Sequence, residues 1–157
     1  MITRRSLIRS TAAGAAVDQP QLMYNLDSWA GYAVPRERMM MRLSRVDNAV
    51  VLTGDEHQNY AGLLMSDDDP VGVEFVTTSI SSGCDGQDQR PGSDRILAEN
   101  PQLKFINDQR GYGVCEVTPE SWRTDFKVLD KVSVPGGTLN RRASAVIGAG
   151  PANLSIT

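Results

Sequence analysis

Apolar positions along this chain recur in two rhythms, the first of them helical. Met39, Leu43 and Val46 recur at i, i+4 and i+7, while Arg36, Glu37, Arg38, Arg42 and Arg45 fall largely on other faces. Pro35 suits a first helical position, so the spacing predicts one amphipathic helix from there, after a loop over 18–34. Asp47-Asn48 reads as a turn, and beyond it the period shortens to that of strands. A buried strand is expected at 49–53, a second at 60–65 and a third, rich in β-forming residues, at 72–79. Between the last two, Ser66-Asp67-Asp68-Asp69-Pro70 reads as a solvated turn closed by proline.

Residues 81–95 are Ser, Gly, Asp, Gln and Pro, which predicts a long loop. Ser93 is placed to cap a short helix over 94–99 that stops before Pro101. Strands follow at 104–106 and 112–117, and Thr118-Pro119-Glu120-Ser121 reads as a hairpin turn. Trp122, Thr124, Phe126 and Val128 then alternate with Arg123, Asp125, Lys127 and Leu129, so a half-buried strand should turn Trp122, Phe126 and Val128 inward and Arg123, Asp125 and Lys127 to solvent. A final strand is expected near 143–147. One helix followed by a strand-rich block makes an α/β protein with much antiparallel pairing.

The composition narrows the function. A chain of 157 residues is one domain's worth and long enough to bury a core. The net charge of −3 argues against a nucleic-acid-binding surface, which needs a basic face. No apolar run approaches the roughly 20 residues that span a bilayer. Cys84 and Cys115 would pair in an exported protein or stay as small buried hydrophobes, and two cysteines in this length are not a disulfide framework. Thr3-Arg4-Arg5-Ser6-Leu7-Ile8-Arg9 resembles a twin-arginine export signal, and the weakly apolar stretch through Val17 makes a short signal core. Residues 1–17 are therefore expected to be a shortened signal, 18–150 the domain and 151–157 a tail. The expected location is outside the cytoplasm, or inside it if the shortened signal fails.

The densest chemistry lies at Val50-Val51-Leu52-Thr53-Gly54-Asp55-Glu56-His57. If the backbone stays extended past Gly54, Asp55 and His57 point the same way and converge on one ion, with Asn59 able to join them. A carboxylate with an imidazole fits a hydrolytic metal better than a thiolate set would. His57 is the only histidine of the chain, so no second imidazole completes the set. The local pattern alone leaves a metal site and a plain strand-end turn both open.

A longer pattern goes further. Asp27-Ser28-Trp29-Ala30-Gly31-Tyr32, the Gly-Asp-x-His segment, and Glu74-Phe75-Val76-Thr77-Thr78-Ser79-Ile80-Ser81-Ser82-Gly83 resemble consecutive motifs of alkaline phosphatase D (PhoD-like) proteins. Asn107-Asp108-Gln109-Arg110-Gly111-Tyr112 and Thr118-Pro119-Glu120-Ser121-Trp122-Arg123-Thr124-Asp125-Phe126 continue the likeness in order. The resemblance implies part of a calcineurin-like metallophosphoesterase β-sandwich with flanking helices, in its strand-rich carboxy-terminal half. It implies hydrolysis of phosphate mono- and diesters with iron and calcium, in which Asp55 and His57 are metal-site and catalytic residues, Asp27 a further metal ligand and Asn59 a substrate contact.

Two departures shape the expected activity. Ala30 stands where the family pattern has a second acid, and a methyl group neither ligates a metal nor accepts a proton. The amino-terminal half that brings most of the family's ligands has no counterpart between the signal-like segment and residue 20. The chain is thus expected to be truncated and weakly active or inactive. The alternatives are a non-catalytic remnant, or a partner-binding module with at most one weak metal site. Sheet edges exposed by such a truncation would favour self-association.

Overall fold

A computed structural model describes residues 28–157. The Asp27 expectation and the signal-like segment therefore lie outside the described residues. Trp29–Gly31 forms one 3-10 turn that leads into α1 (Ala33–Leu43). Eight strands and a short second helix follow: β1 (Val50–Thr53), β2 (Asn59–Ser66), β3 (Asp69–Val76), α2 (Ser93–Glu99), β4 (Leu103–Asn107), β5 (Gly111–Val117), β6 (Ser121–Leu129), β7 (Leu139–Gly148) and β8 (Ser155–Ile156). Among the described residues no helix is long and apolar enough to cross a membrane.

The strands form two four-stranded sheets, ordered β1-β3-β2-β4 and β5-β6-β7-β8. Every pairing is antiparallel except β1 with β3. Ala61, Val73, Phe75 and Phe105 of the first sheet pack on Phe126, Ala143, Ala145 and Ile147 of the second. This is the apolar payload of a sheet-on-sheet arrangement, with small alanines opposite large rings. A smaller cluster of Met40, Leu64 and Val71 seats α1 on the first sheet.

Several expectations need correction. The helix buries Arg36 and Met40, while Met39 and Leu43 are half-buried and Val46 lies past its end, 60% exposed. Arg36 and Met40 are one turn apart and share a face, and the aliphatic stem of an arginine packs on apolar surface that a charge-based pattern reserves for solvent. The strand expected to be buried, β1, is an edge strand paired on one side, and its Leu52 is 56% exposed. Asp125 points to the face of β6 opposite Phe126, as expected, but it is buried there, because Ser144 lies opposite it in β7 and donates to its carboxylate at 2.6 Å. Ser93 opens α2 rather than capping it, and Gly92, with φ of 92°, takes the cap position. The expected tail carries β8, which pairs with Ala145 and Val146. Both cysteines are unpaired and exposed, so neither serves as a buried hydrophobe.

The connections converge on one rim. β1 runs parallel to β3, so both end at the same side, where the 54–58 loop crosses to the start of β2. β4 pairs with β2 at Asn59 and Asn107, which brings the end of β4 to that side too. Loops at the carboxyl ends of neighbouring strands are a common place for α/β proteins to build ligand sites.

Candidate functional site

The rim is founded on a buried amide network. Asn59 is fully buried, and its amide nitrogen donates to Asn107 Oδ1 at 3.0 Å and to the Gln109 carbonyl at 3.2 Å. Its oxygen accepts the Thr78 N–H at 3.1 Å. Asn107 donates in turn to the Asp88 carbonyl and carboxylate and to Gln109 Oε1, each at 3.1 Å. One residue at the start of β2 thus ties together the exits of β3 and β4. Both amide groups of Asn59 are engaged by protein, so it lies beneath the loop that carries Asp55 and His57.

That loop does not stay extended. Asp55 has φ of 73° and His57 φ of 54°, both in the left-handed region that Asp, Asn and His tolerate better than other non-glycine residues. The i, i+2 argument that aligned the two side chains therefore does not hold along 54–59. Both remain exposed on the same short loop. The His57 ring lies against the loop that follows β3, with Nδ1 3.3 Å from Ser82 Oγ. No cluster of three or more His, Cys, Asp or Glu able to hold a metal occurs among the described residues.

Arg110, one residue ahead of β5, is the buried centre of the rim at 2% exposure. Its Nη1 donates to the His57 carbonyl and to Thr78 Oγ1, the latter at 2.9 Å. Its Nε donates to the Cys84 carbonyl at 3.0 Å. Asp108, also buried, lies 3.8 Å from Nη2 and makes an ion pair with Arg90 at 2.6 Å. One guanidinium therefore fastens three chain segments, which its planar fork of donors suits. Gly86 lets this happen at close quarters: a Cβ there would fall 2.0 Å from the Asp108 carbonyl oxygen. Arg110 lies within the Asn107–Tyr112 motif, where its sequence neighbours alone give it no role. A cation directly ahead of a strand and two residues from an acid is the available signal.

Two further groups nearby have shifted acidity. The Cys84 thiol is pulled below its ordinary range by the Gly86 N–H, with Arg110 next in effect. Burial pushes the Tyr60 hydroxyl up to about 12, with Glu56 adding to it, so the phenol stays neutral at any physiological pH.

Two carboxylates pin the 77–92 loop, one to the β6–β7 connection and one to β7. Asp85 accepts the N–H groups of Val132 at 2.6 Å and Ser133 at 2.7 Å, and the Ser133 hydroxyl at 2.8 Å. Asp88 takes a two-pronged contact from Arg142. Backbone donors hold the Asp85 carboxyl below the usual carboxylate range, and Arg142 does the same for Asp88. Depressed values in the folded state mean that these ties are intact above the unfolded aspartate value of about 3.9 and are lost as pH falls through the lower, folded values. Hydrogen exchange at the Val132 and Ser133 amides, corrected for the intrinsic rate, should stay protected down to about pH 4 and lose protection below it. Protection that persists unchanged in stronger acid would show that the Asp85 carboxylate does not hold the loop.

The chain matches known proteins along most of its length. A family model described as "PhoD-like phosphatase" fits residues 2–126, and this chain belongs to the PhoD-like phosphatase family. It is 44% identical over 131 residues to alkaline phosphatase D of Bacillus subtilis (strain 168), across 79% of this chain and 22% of that protein. A solved structure described as "Structure of PhoD" superposes with a TM-score of 0.81 at 40% identity, covering 91% of this chain and 28% of that one. The chain therefore spans about a quarter of the length of these relatives.

Proposed function

We propose that this chain serves the metal-dependent hydrolysis of phosphate esters, with the 54–58 loop as its cation-binding element. The observation that carries this reading is the placement of Asp55 and His57, both exposed, on one loop at the carboxyl ends of strands in a PhoD-like phosphatase. A carboxylate and an imidazole suit a hard or borderline cation such as calcium or iron. Two donors fit part of one ion's shell, and the described residues bring no third acid, thiol or imidazole into a cluster with them. Asp27 is proposed as a further ligand. A cation held there would polarise a phosphoryl oxygen and lower the pKa of bound water. The chain's own contribution is to present Asp55 and His57 from a loop whose backbone is fixed from below. Asn59, proposed as a substrate contact in the sequence reading, supports the site through the backbone it ties.

Export through the twin-arginine-like segment and self-association at the open edges of β1 and β5 belong to the same proposal. Light scattering over a concentration series tests the second.

The decisive experiment combines binding and turnover. Titration with a divalent cation should show weak binding that disappears in His57→Ala. With calcium and iron supplied, turnover of a phosphomonoester and a diester should be low, and it should fall to background in both Asp55→Ala and His57→Ala. Turnover that survives both substitutions would sink the assignment, and unchanged binding in His57→Ala would move the ion elsewhere, with Asp67-Asp68-Asp69 the first place to look.

A further inference from the structure

For a cation-binding His57, the hydrogen bonds around the ring decide which nitrogen is left to bind. Ser82 has one hydroxyl proton, and the heavy-atom geometry suits Ser82 as the donor toward Ser79 Oγ. With that proton committed, the Ser82 oxygen can meet His57 Nδ1 at 3.3 Å as acceptor alone. The ring must then carry its proton on Nδ1, which makes Nε2 the nitrogen with the lone pair. Ser79 is itself fixed, because its carbonyl accepts the Gly111 N–H at 3.1 Å and the neighbouring Thr78 N–H bonds to buried Asn59. Arg110 holds the His57 carbonyl from below. An exposed imidazole is thus tied at its ring and at its backbone to the start of β5.

We propose that Ser82, backed by Ser79, is a positioning residue that holds His57 in its Nδ1–H form and turns Nε2 toward the cation. This rests on the reading of the 54–58 loop as the cation-binding element. Metal-ligating histidines commonly donate the remaining ring N–H to an oxygen, which sets both tautomer and orientation. Here a hydroxyl relay plays the part usually taken by a carboxylate or a backbone carbonyl. An unconstrained imidazole in water prefers the opposite form, with the proton on Nε2, so the relay has a measurable preference to reverse.

The test uses the whole chain, labelled with 15N, and long-range 1H–15N spectra at a pH where the ring is neutral. One histidine means that its two ring nitrogens need no assignment by mutation. The wild type should show the proton on Nδ1. Ser82→Ala should shift the population toward Nε2–H with little change in thermal stability, since Ser82 is only half-buried, and Ser82→Thr, which keeps the hydroxyl, should restore the wild-type spectrum. A wild-type ring protonated on Nε2, or a spectrum unchanged in Ser82→Ala, overturns the proposal. Adding Mn2+ separates it from the metal reading. Broadening of the His57 ring signals should require at least about tenfold more Mn2+ in Ser82→Ala than in the wild type. A wild type with the Nδ1–H form and no broadening supports the hold of Ser82 on the tautomer and refutes the metal assignment, and with it the claim that the relay serves a cation. Equal Mn2+ affinity in both proteins, with the tautomer shifted, overturns the claim that the relay serves the cation.

Discussion

Phe126→Ala is expected to lower stability by about 3–5 kcal/mol, the range for removing a fully buried aromatic ring from a close-packed core. Phe126 has no exposed surface and sits between the two sheets. It meets Phe105 at 4.8 Å between ring centroids and Phe75 edge-on at 6.2 Å. Each such pair adds about 0.5–1.5 kcal/mol beyond the area it covers. Ala143 lies opposite it in β7, and Ala61 and Ala145 share the same core cluster; such short side chains cannot move in to fill the cavity that alanine would leave. The urea midpoint should fall with little change in slope, because the folded state buries the same backbone. Phe126→Leu should cost less, since it keeps much of the volume. A loss below about 1 kcal/mol in Phe126→Ala would mean that the two sheets do not pack on each other in solution.

The strands were legible because their signal is local. The alternation through Trp122, Phe126 and Val128 located β6, and runs of β-forming residues located β2, β3 and β5, each within a few residues. What escaped depends on partners distant along the chain. Asp125 reads as a solvent-facing acid until Ser144 is placed opposite it, and nothing near Asp125 in sequence announces that pairing. Arg36 reads as surface because a pattern of charges ignores the apolar stem. The same division runs through the site. Asp55 and His57 stand out in the sequence because Gly-Asp-x-His is contiguous, although the extended backbone expected between them gives way to two left-handed residues. Ser82 lies 25 residues from His57 and Arg110 lies 53 residues away, and the β1–β3 and β2–β4 pairings together carry all three to one rim. Asn59 was singled out for its spacing and turns out to matter through its burial.

Arg110→Ala should be as damaging as the core substitution, by a different route. Its removal leaves the His57 and Cys84 carbonyls without their guanidinium donor, and takes one of two cations from buried Asp108. A buried acceptor left unsatisfied costs about 1–3 kcal/mol, and breaking a buried ion pair by deleting one partner about 3–5 kcal/mol. These contributions overlap in a shared network, so a total of about 3–5 kcal/mol is expected rather than their sum. Arg90 remains to balance Asp108, but its side chain is 47% exposed and cannot reach the carbonyls by that contact. Arg110→Lys should recover only part of the loss, because one ammonium cannot reproduce the fork that serves His57, Thr78 and Cys84 at once. The damage should also be local in a way that Phe126→Ala is not. Hydrogen exchange in Arg110→Lys should quicken first across 54–58 and 77–86, while β6 and β7 keep their protection. Uniform loosening of both sheets would show that Arg110 supports the core as a whole. A variant as stable and as protected as the wild type would mean that the rim is held by the amide network of Asn59 and Asn107 alone.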